Sequence, residues 1–242
     1  MNQKPIVIIP ARMESTRFPG KPLALVNDKP MIVRVWEQAC QIPGVDKVVV
    51  ATDDELIADV VCGAGGEAVV SDMEYETGTD RVADVARVLA GDRLVLNVQG
   101  DLPFFHPQVG SALLRALQKD TTADMATPVK MRRGFCPELM DPNVVKVIFD
   151  LNFRALYFGR SPLPSYCDAD QHWYKHLGVY AYRNSALQRF AEMSQTTLER
   201  AERLEQLRAL EHGMHIRIVP VVNDCGQEVN TPEDLVRANR GY

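Results

Sequence analysis

Through the first 120 residues, short apolar runs alternate with segments of helical spacing, and no other feature of the chain constrains its fold as strongly. Ile6–Ile9 is entirely apolar and of strand length, and Met31–Cys40 places Met31, Val35, Trp36 and Ala39 on one helical face. Lys47–Ala51 is a β-branched run ending at Thr52-Asp53-Asp54, where a carboxylate can accept the free N–H groups of a helix over Glu55–Cys62. Gly63-Ala64-Gly65-Gly66 follows that helix rather than a strand, so it reads as a helix end and turn, not a dinucleotide-binding fingerprint. Strands over Glu67–Val70 and Leu94–Val98, with helices over Asp80–Leu89 and Pro107–Leu117, continue the alternation. Strand–helix–strand units close by right-handed crossovers, so the expected class is α/β with a doubly wound, mixed, mainly parallel sheet.

After residue 120 the rhythm changes. Strand candidates Met125–Val129, Val144–Phe149, Ala155–Gly159 and Leu177–Tyr182 follow one another without a long helix. Antiparallel additions to the sheet, or an arm pairing with a second subunit, fit that change. Helices are expected over Asn184–Met193 and Leu198–Glu211, the second ended by Gly213, then a strand over Ile216–Val221. A last helix starts at Thr231-Pro232-Glu233, an N-cap followed by proline at the first helical position. No repeat or low-complexity linker divides the 242 residues, so a single domain over 1–242 is expected, with 120–182 as its β-rich region.

With 46% hydrophobic and 24% charged residues the chain is too apolar for intrinsic disorder, and it lacks the run of about 18 apolar residues that a membrane-spanning helix needs. The first apolar run is too short for a signal-peptide core, which points to the cytoplasm and away from a membrane. Five cysteines stand scattered with no C-x-x-C pair, so neither a disulfide framework nor a cysteine zinc site is expected. His172 and His176 would share a metal on a helix, but Trp173, Tyr174 and Leu177–Tyr182 read as extended, so no His–His site is expected. The net charge of −5 and the absence of a Lys/Arg-rich run argue against nucleic acid as a partner. An anionic ligand must therefore meet a local positive site.

In an open α/β sheet, ligands bind beyond the carboxyl ends of the strands. After Ile9 the chain reads Pro10-Ala11-Arg12-Met13-Glu14-Ser15-Thr16-Arg17-Phe18-Pro19-Gly20-Lys21-Pro22. Guanidinium forks, an ammonium, hydroxyls and free backbone N–H groups on one loop are what a polyphosphate requires. It is not a Walker A loop, because Lys21 precedes proline and the G-x-x-x-x-G-K spacing is missing. The strand Leu94–Val98 runs into Gln99-Gly100-Asp101, where a carboxylate beside a glycine makes a seat for a divalent cation carried on substrate phosphates.

These motifs resemble those of the sugar-acid cytidylyltransferases, specifically the 3-deoxy-manno-octulosonate (Kdo) cytidylyltransferase family. The resemblance runs along nearly the whole chain: IIPARMESTRFPGKPL at 8–23, VVVATDDE at 48–55, TGTDR at 77–81, LNVQGDLP at 96–103, ALYFGRSPLP at 155–164, KHLGVYAYR at 175–183, LEQLRALE at 204–211 and VNTPEDL at 229–235. It implies a glycosyltransferase-A-like fold of the nucleotide-diphospho-sugar transferase type, a homodimer, and transfer of CMP from CTP to Kdo for lipopolysaccharide biosynthesis. Carried across by motif, Ala11, Arg12, Arg17, Lys21, Thr77, Gly78, Thr79 and Arg81 would bind CTP. Arg12, Lys21, Gln99 and Asp101 would serve catalysis, and Gln99, Arg160, His176, Tyr180, Glu205 and Gln206 would bind the sugar acid. Mg²⁺ is the implied cofactor, on Asp101 and Asn230. Neighbouring readings are a cytidylyltransferase for a related acid such as 8-amino-Kdo, and a catalytically silent nucleotide-binding homologue.

Two residues depart from the family pattern. Leu102 stands where the family commonly carries Glu after N-V-Q-G-D, and Asn230 replaces the Asp of V-D-T-P-E-D-L. Asn230 keeps a carbonyl oxygen but no charge, which predicts weaker Mg²⁺ binding with the chemistry intact.

Overall fold

The computed structural model of the chain describes residues 3–15, 17–71 and 73–240. Four strands, β1 (Ile6–Ala11), β4 (Lys47–Thr52), β5 (Glu67–Val70) and β6 (Leu94–Asn97), form a parallel block in the order β5-β4-β1-β6. A small hairpin of β2 (Leu25–Val26) and β3 (Lys29–Pro30) lies outside that sheet. The crossovers are α1 (Met31–Cys40), α2 (Glu55–Gly63) and α3 (Gly78–Leu89), with α4 (Pro107–Lys119) after β6. Alternation along β1 explains its all-apolar sequence: Val7 and Ile9 enter the cluster under α1, α2 and α4, whereas Ile6 and Ile8 enter the cluster under α3. Both faces are covered, so every position except Pro10 is buried.

The second half extends the sheet. It comprises β7 (Met125–Arg133), a short α5 (Pro137–Met140), β8 (Lys146–Phe149), β9 (Ala155–Gly159), β10 (His172–His176) and β11 (Tyr180–Arg183). The order continues from β6 as β11-β7-β10-β8-β9, antiparallel at each of these pairings. After α6 (Asn184–Glu192), α7 (Thr197–Glu202) and α8 (Gln206–Glu211), β12 (Ile216–Pro220) returns parallel to β7. The closing helix α9 (Pro232–Asn239) starts at the expected Thr231 cap, completed by Asp234. Val229 and Ala238 bury against Val26 and Met31, so α9 is anchored to the segment after the first loop.

Two expected elements are broken, each for a local reason. The strand expected over Leu177–Tyr182 is interrupted: β10 pairs His176 with Val129 and β11 pairs Ala181 with Ala126, so the register on β7 slips by two residues at 177–179. Pro128, which has no N–H to offer, faces the interruption and accepts from Leu177 N–H at 3.1 Å. The single helix expected over Leu198–Glu211 becomes α7 and α8, because Arg203 takes a left-handed conformation (φ 54°) that stops the first.

Candidate active site

The carboxyl ends of β1, β4 and β6 lie side by side because the three strands are parallel neighbours. Beyond them, the loop after β1 folds back on itself, with Gly20 N–H bonded to Met13 O (3.1 Å) and Phe18 N–H to Ser15 Oγ (3.3 Å). Gly20 has φ 71°, which turns the chain into a short 3₁₀ turn at Lys21–Leu23. Thr16 of this loop lies outside the described residues. Gly100 packs on Pro10, whose carbonyl oxygen would stand 2.7 Å from any added Cβ. Only glycine lets Gln99 and Asp101 come this close to the first loop.

A cavity of about 330 Å³ opens there. The first loop contributes Ala11, Arg12, Arg17 and Lys21; the start of α3 contributes Thr77, Gly78 and Arg81. Gln99 and Asp101 come from the end of β6, and Asn230 from the approach to α9. Lys21 Nζ pairs with Asp101 Oδ2 at 2.8 Å. Arg81, almost wholly buried, bonds through Nη2 to Asp53 (2.8 Å), while its Nη1 has no partner. Asp53 also accepts Met13 N–H at 3.3 Å, so it ties the first loop to α3.

A larger cavity of about 890 Å³ adjoins the first where Asp101 gives way to Leu102 and Asn230 to Glu228. Its walls include Arg160, His176, Tyr180 and Gln206. His176 is buried, and burial pushes its pKa down to about 3, so the ring is neutral. Thr127 Oγ1 lies 2.9 Å from His176 Nε2 and 2.9 Å from Val179 O. The hydroxyl has a single proton and gives it to a carbonyl at the strand interruption, so Nε2 carries the ring proton and Nδ1 is left as an acceptor. His176 is thus built to take a hydroxyl, not to pair with a carboxylate.

Two cations line this cavity, Lys175, which pairs with Glu138 at 2.9 Å, and Arg160. The Arg160 guanidinium donates to Glu202 O (2.7 Å), Pro142 O (2.9 Å) and Arg203 O (3.3 Å), which leaves part of the fork free. Its own carbonyl is held by Lys146 Nζ (2.5 Å), which also caps Asp141 O (2.9 Å) and Val144 O (2.7 Å). Lys146 is fully buried, and burial lowers its pKa from the ordinary lysine value. The Nε2 group of Gln206, also buried, has no partner. Each cavity therefore contains one buried donor awaiting an acceptor, which is the state of a site that completes its bonds with a ligand.

Thr79 and Glu205 do not line either cavity. Glu205 accepts from Thr79 Oγ1 (3.2 Å) and Thr77 Oγ1 (3.4 Å), linking the start of α3 to the start of α8. Burial raises its pKa to about 7, against the lowering effect of the Thr79 hydrogen bond.

Residues 6–216 match the family model described as cytidylyltransferase. The 3-deoxy-manno-octulosonate cytidylyltransferase of Pelobacter propionicus is 44% identical over 97% of this chain and 96% of its own length. That of Syntrophobacter fumaroxidans is 46% identical over 94% and 92%. The chain belongs to the 3-deoxy-manno-octulosonate cytidylyltransferase family. A solved CMP:2-keto-3-deoxy-manno-octonic acid synthetase complexed with CTP superimposes with a TM-score of 0.93 at 38% identity, covering 98% of both chains. The 4-diphosphocytidyl-2C-methyl-D-erythritol synthase of Anaerococcus prevotii, at 15% identity and a TM-score of 0.64, shares the fold. Membership of the cytidylyltransferases confirms the α/β class with a mixed sheet that the sequence implies.

Against the family pattern, the donor set for a divalent cation is lean. Among the described residues no group of three His, Cys, Asp or Glu side chains converges as a metal cage. Asp101 offers a carboxylate and Asn230 a carbonyl oxygen, both beside Lys21 (2.8 and 3.5 Å). That set fits Mg²⁺, which takes one or two protein oxygens and draws the rest from phosphates and water. Asp53, Thr127 and Lys146 carry the geometry of this cytidylyltransferase site without standing out in the sequence. The sequence leaves open which carboxylate of Asp53-Asp54 caps α2; Asp54 is the one that accepts Leu56 and Ile57 N–H, and Asp53 goes to Arg81.

Proposed function

We propose that the chain transfers CMP from CTP to the anomeric hydroxyl of Kdo, giving CMP-Kdo and pyrophosphate for lipopolysaccharide biosynthesis. The observation that carries this reading is the junction of the two cavities at Asp101–Leu102: a basic pocket of phosphate-binding character opens directly onto one suited to a hydroxylated acid. Arg12, Arg17 and Lys21 hold the triphosphate and neutralise the charge of the departing pyrophosphate. Thr77, Gly78 and Arg81 close the nucleotide side. Arg160 takes the sugar carboxylate, while His176 Nδ1, Tyr180 and Gln206 orient its hydroxyls. The anomeric oxygen, so placed, attacks the α-phosphorus in line; no covalent enzyme intermediate is required. Asp101 and Asn230 would hold Mg²⁺, which when bound supplies charge neutralisation and acidifies a coordinated hydroxyl.

Among the described residues no helix is long and apolar enough to cross a membrane, and the use of CTP as a substrate supports a cytoplasmic location. Exposed Ile148, Leu151 and Leu156 belong to the β8–β9 hairpin at the end of the sheet, which supports pairing of two copies there. Sedimentation at micromolar concentration tests this, and a monomer overturns it. Pyrophosphate release with CTP, Mg²⁺ and a panel of sugar acids tests the reaction: release with Kdo is expected. Release with no acid would sink the enzyme reading; release with a different acid alone would correct the substrate.

A further inference from the structure

Glu228 occupies a place that the family resemblance leaves unassigned. The segment before α9 runs antiparallel to the segment after β6: Val229 N–H bonds to Asp101 O at 3.0 Å, and Gly226 presses on the carbonyl of Phe104. Glu228 is thereby set across from Leu102, and both face the larger cavity. Its Oε2 accepts from Asn230 Nδ2 at 3.0 Å. The other end of that amide, Oδ1, accepts from Arg17 Nη2 (3.4 Å) and Lys21 Nζ (3.5 Å). The Asn230 backbone is fixed separately, by its N–H bond to Asp234 Oδ2 (3.0 Å).

An asparagine side chain can be turned end for end with little change of shape, so something must decide which end faces the phosphate loop. Arginine and lysine only donate, and an ionised carboxylate only accepts. A reversed amide would set donor against donor at Lys21 and acceptor against acceptor at Glu228. We infer that Glu228 is a positioning residue of this site: it locks the Asn230 amide with its oxygen toward Lys21 and Arg17, so that a neutral residue holds the place of a carboxylate beside Asp101. One residue then answers both departures from the family pattern. It sets a carboxyl group opposite Leu102, and it gives Asn230 the single orientation that a symmetric carboxylate has without help. The inference rests on the proposed reading of the site as the CTP and metal side of a cytidylyltransferase.

A double-mutant cycle tests it, read as Mn²⁺ affinity of the CTP complex by electron paramagnetic resonance, without sugar acid, and as the Mg²⁺ concentration giving half-maximal turnover. Glu228→Gln can donate as well as accept, so the amide loses its lock and Mn²⁺ affinity falls about tenfold, the worth of one well-placed hydrogen bond. Asn230→Asp alone sets two carboxylates about 3 Å apart and gains little, because each opposes ionisation of the other. The Glu228→Gln, Asn230→Asp double variant removes that clash and needs no lock, so affinity returns to within about threefold of the unaltered protein. A structural role for Glu228 would not be rescued by changing Asn230. Additive effects, or a Glu228→Gln variant with unchanged affinity, overturn the inference alone. Failure of the unaltered protein to bind CTP with Mn²⁺ overturns the functional reading and this inference with it.

Discussion

The nucleotide side and the sugar side of the site are built by different means. On the nucleotide side, three parallel strands end together and build the pocket from their ends: Ala11 and Arg12 at the end of β1 and Gln99 and Asp101 after β6 line it, while Asp53 after β4 holds Arg81 in its wall. Side chains there pair directly with one another, as in Lys21–Asp101 and Arg81–Asp53. On the sugar side the sheet is antiparallel, and the functional groups are aimed by places where regular structure fails. His176 is oriented by the Thr127 hydroxyl at the slip between β10 and β11. Arg160 is braced by carbonyls at the end of α7 and in the 141–144 turn. A pocket of the first kind tolerates backbone adjustment but not loss of charge, whereas one of the second kind should fail when its buried supports are removed.

Asp101→Asn attacks the first kind and carries the largest expected effect. It keeps the shape but leaves Lys21 without its charged partner and the phosphate side without its carboxylate. A loss of about 10²–10³ in kcat is expected, the range seen when one aligned electrostatic group is lost. Pyrophosphate release measures it, and full activity would remove Asp101 from the reacting centre. Lys146→Met attacks the second kind. Three carbonyls, of Asp141, Val144 and Arg160, lose their donor. At about 1–3 kcal/mol per buried unsatisfied group the cost is roughly 3 kcal/mol or more, partly offset because methionine removes a buried charge. Thermal unfolding should show a fall of about 6–12 °C for a chain of this size. Because Arg160 loses its brace, KM for the sugar acid should rise while that for CTP stays as it was. An equal rise in both would erase the distinction between the two sides.

The same contrast decides what could be read from the sequence. The first loop, Asp101 and the Thr231 helix start are legible because their chemistry is contiguous: charge, glycine and cap residues stand within a few positions of each other. The alternation of the first 120 residues likewise fixes the parallel block, since each buried strand carries its own apolar run. Thr127 and Lys146 give no such signal. Thr127 looks like an ordinary β-branched strand residue, and its role exists only because 49 positions later the register slips opposite it. Lys146 stands within the strand expected over Val144–Phe149 with nothing to mark it, yet the turn before it and the carbonyl of Arg160 close over it. The left-handed Arg203 hides in the same way, for L-E-Q-L-R continues a helical pattern that the backbone does not follow. Long-range closure, not residue type, creates these functions.

Glu205 joins the two sides, and its charge state supplies the smallest and most diagnostic effect. Its pKa stands at about 7 in the folded protein against an ordinary value of 4.5, with burial as the main cause. A carboxyl whose folded pKa lies above its unfolded value binds a proton more tightly when folded, so its contribution to stability is complete below about pH 4.5 and is lost as pH rises through about 7. The difference is at most about 3 kcal/mol, and relaxation around the carboxylate will reduce it. Glu205→Gln keeps the shape and can accept from one of Thr77 and Thr79 while its amide nitrogen donates to the other hydroxyl, but it cannot ionise. Relative to the unaltered protein, the variant should therefore be more stable at pH 8 than at pH 5, as read by urea unfolding at the two values. A stability difference that does not change between pH 5 and pH 8 would mean that Glu205 is solvated like a surface carboxylate. The link between the start of α3 and the start of α8 would then be an open, water-filled contact, and the nucleotide and sugar sides would be held together by the sheet alone.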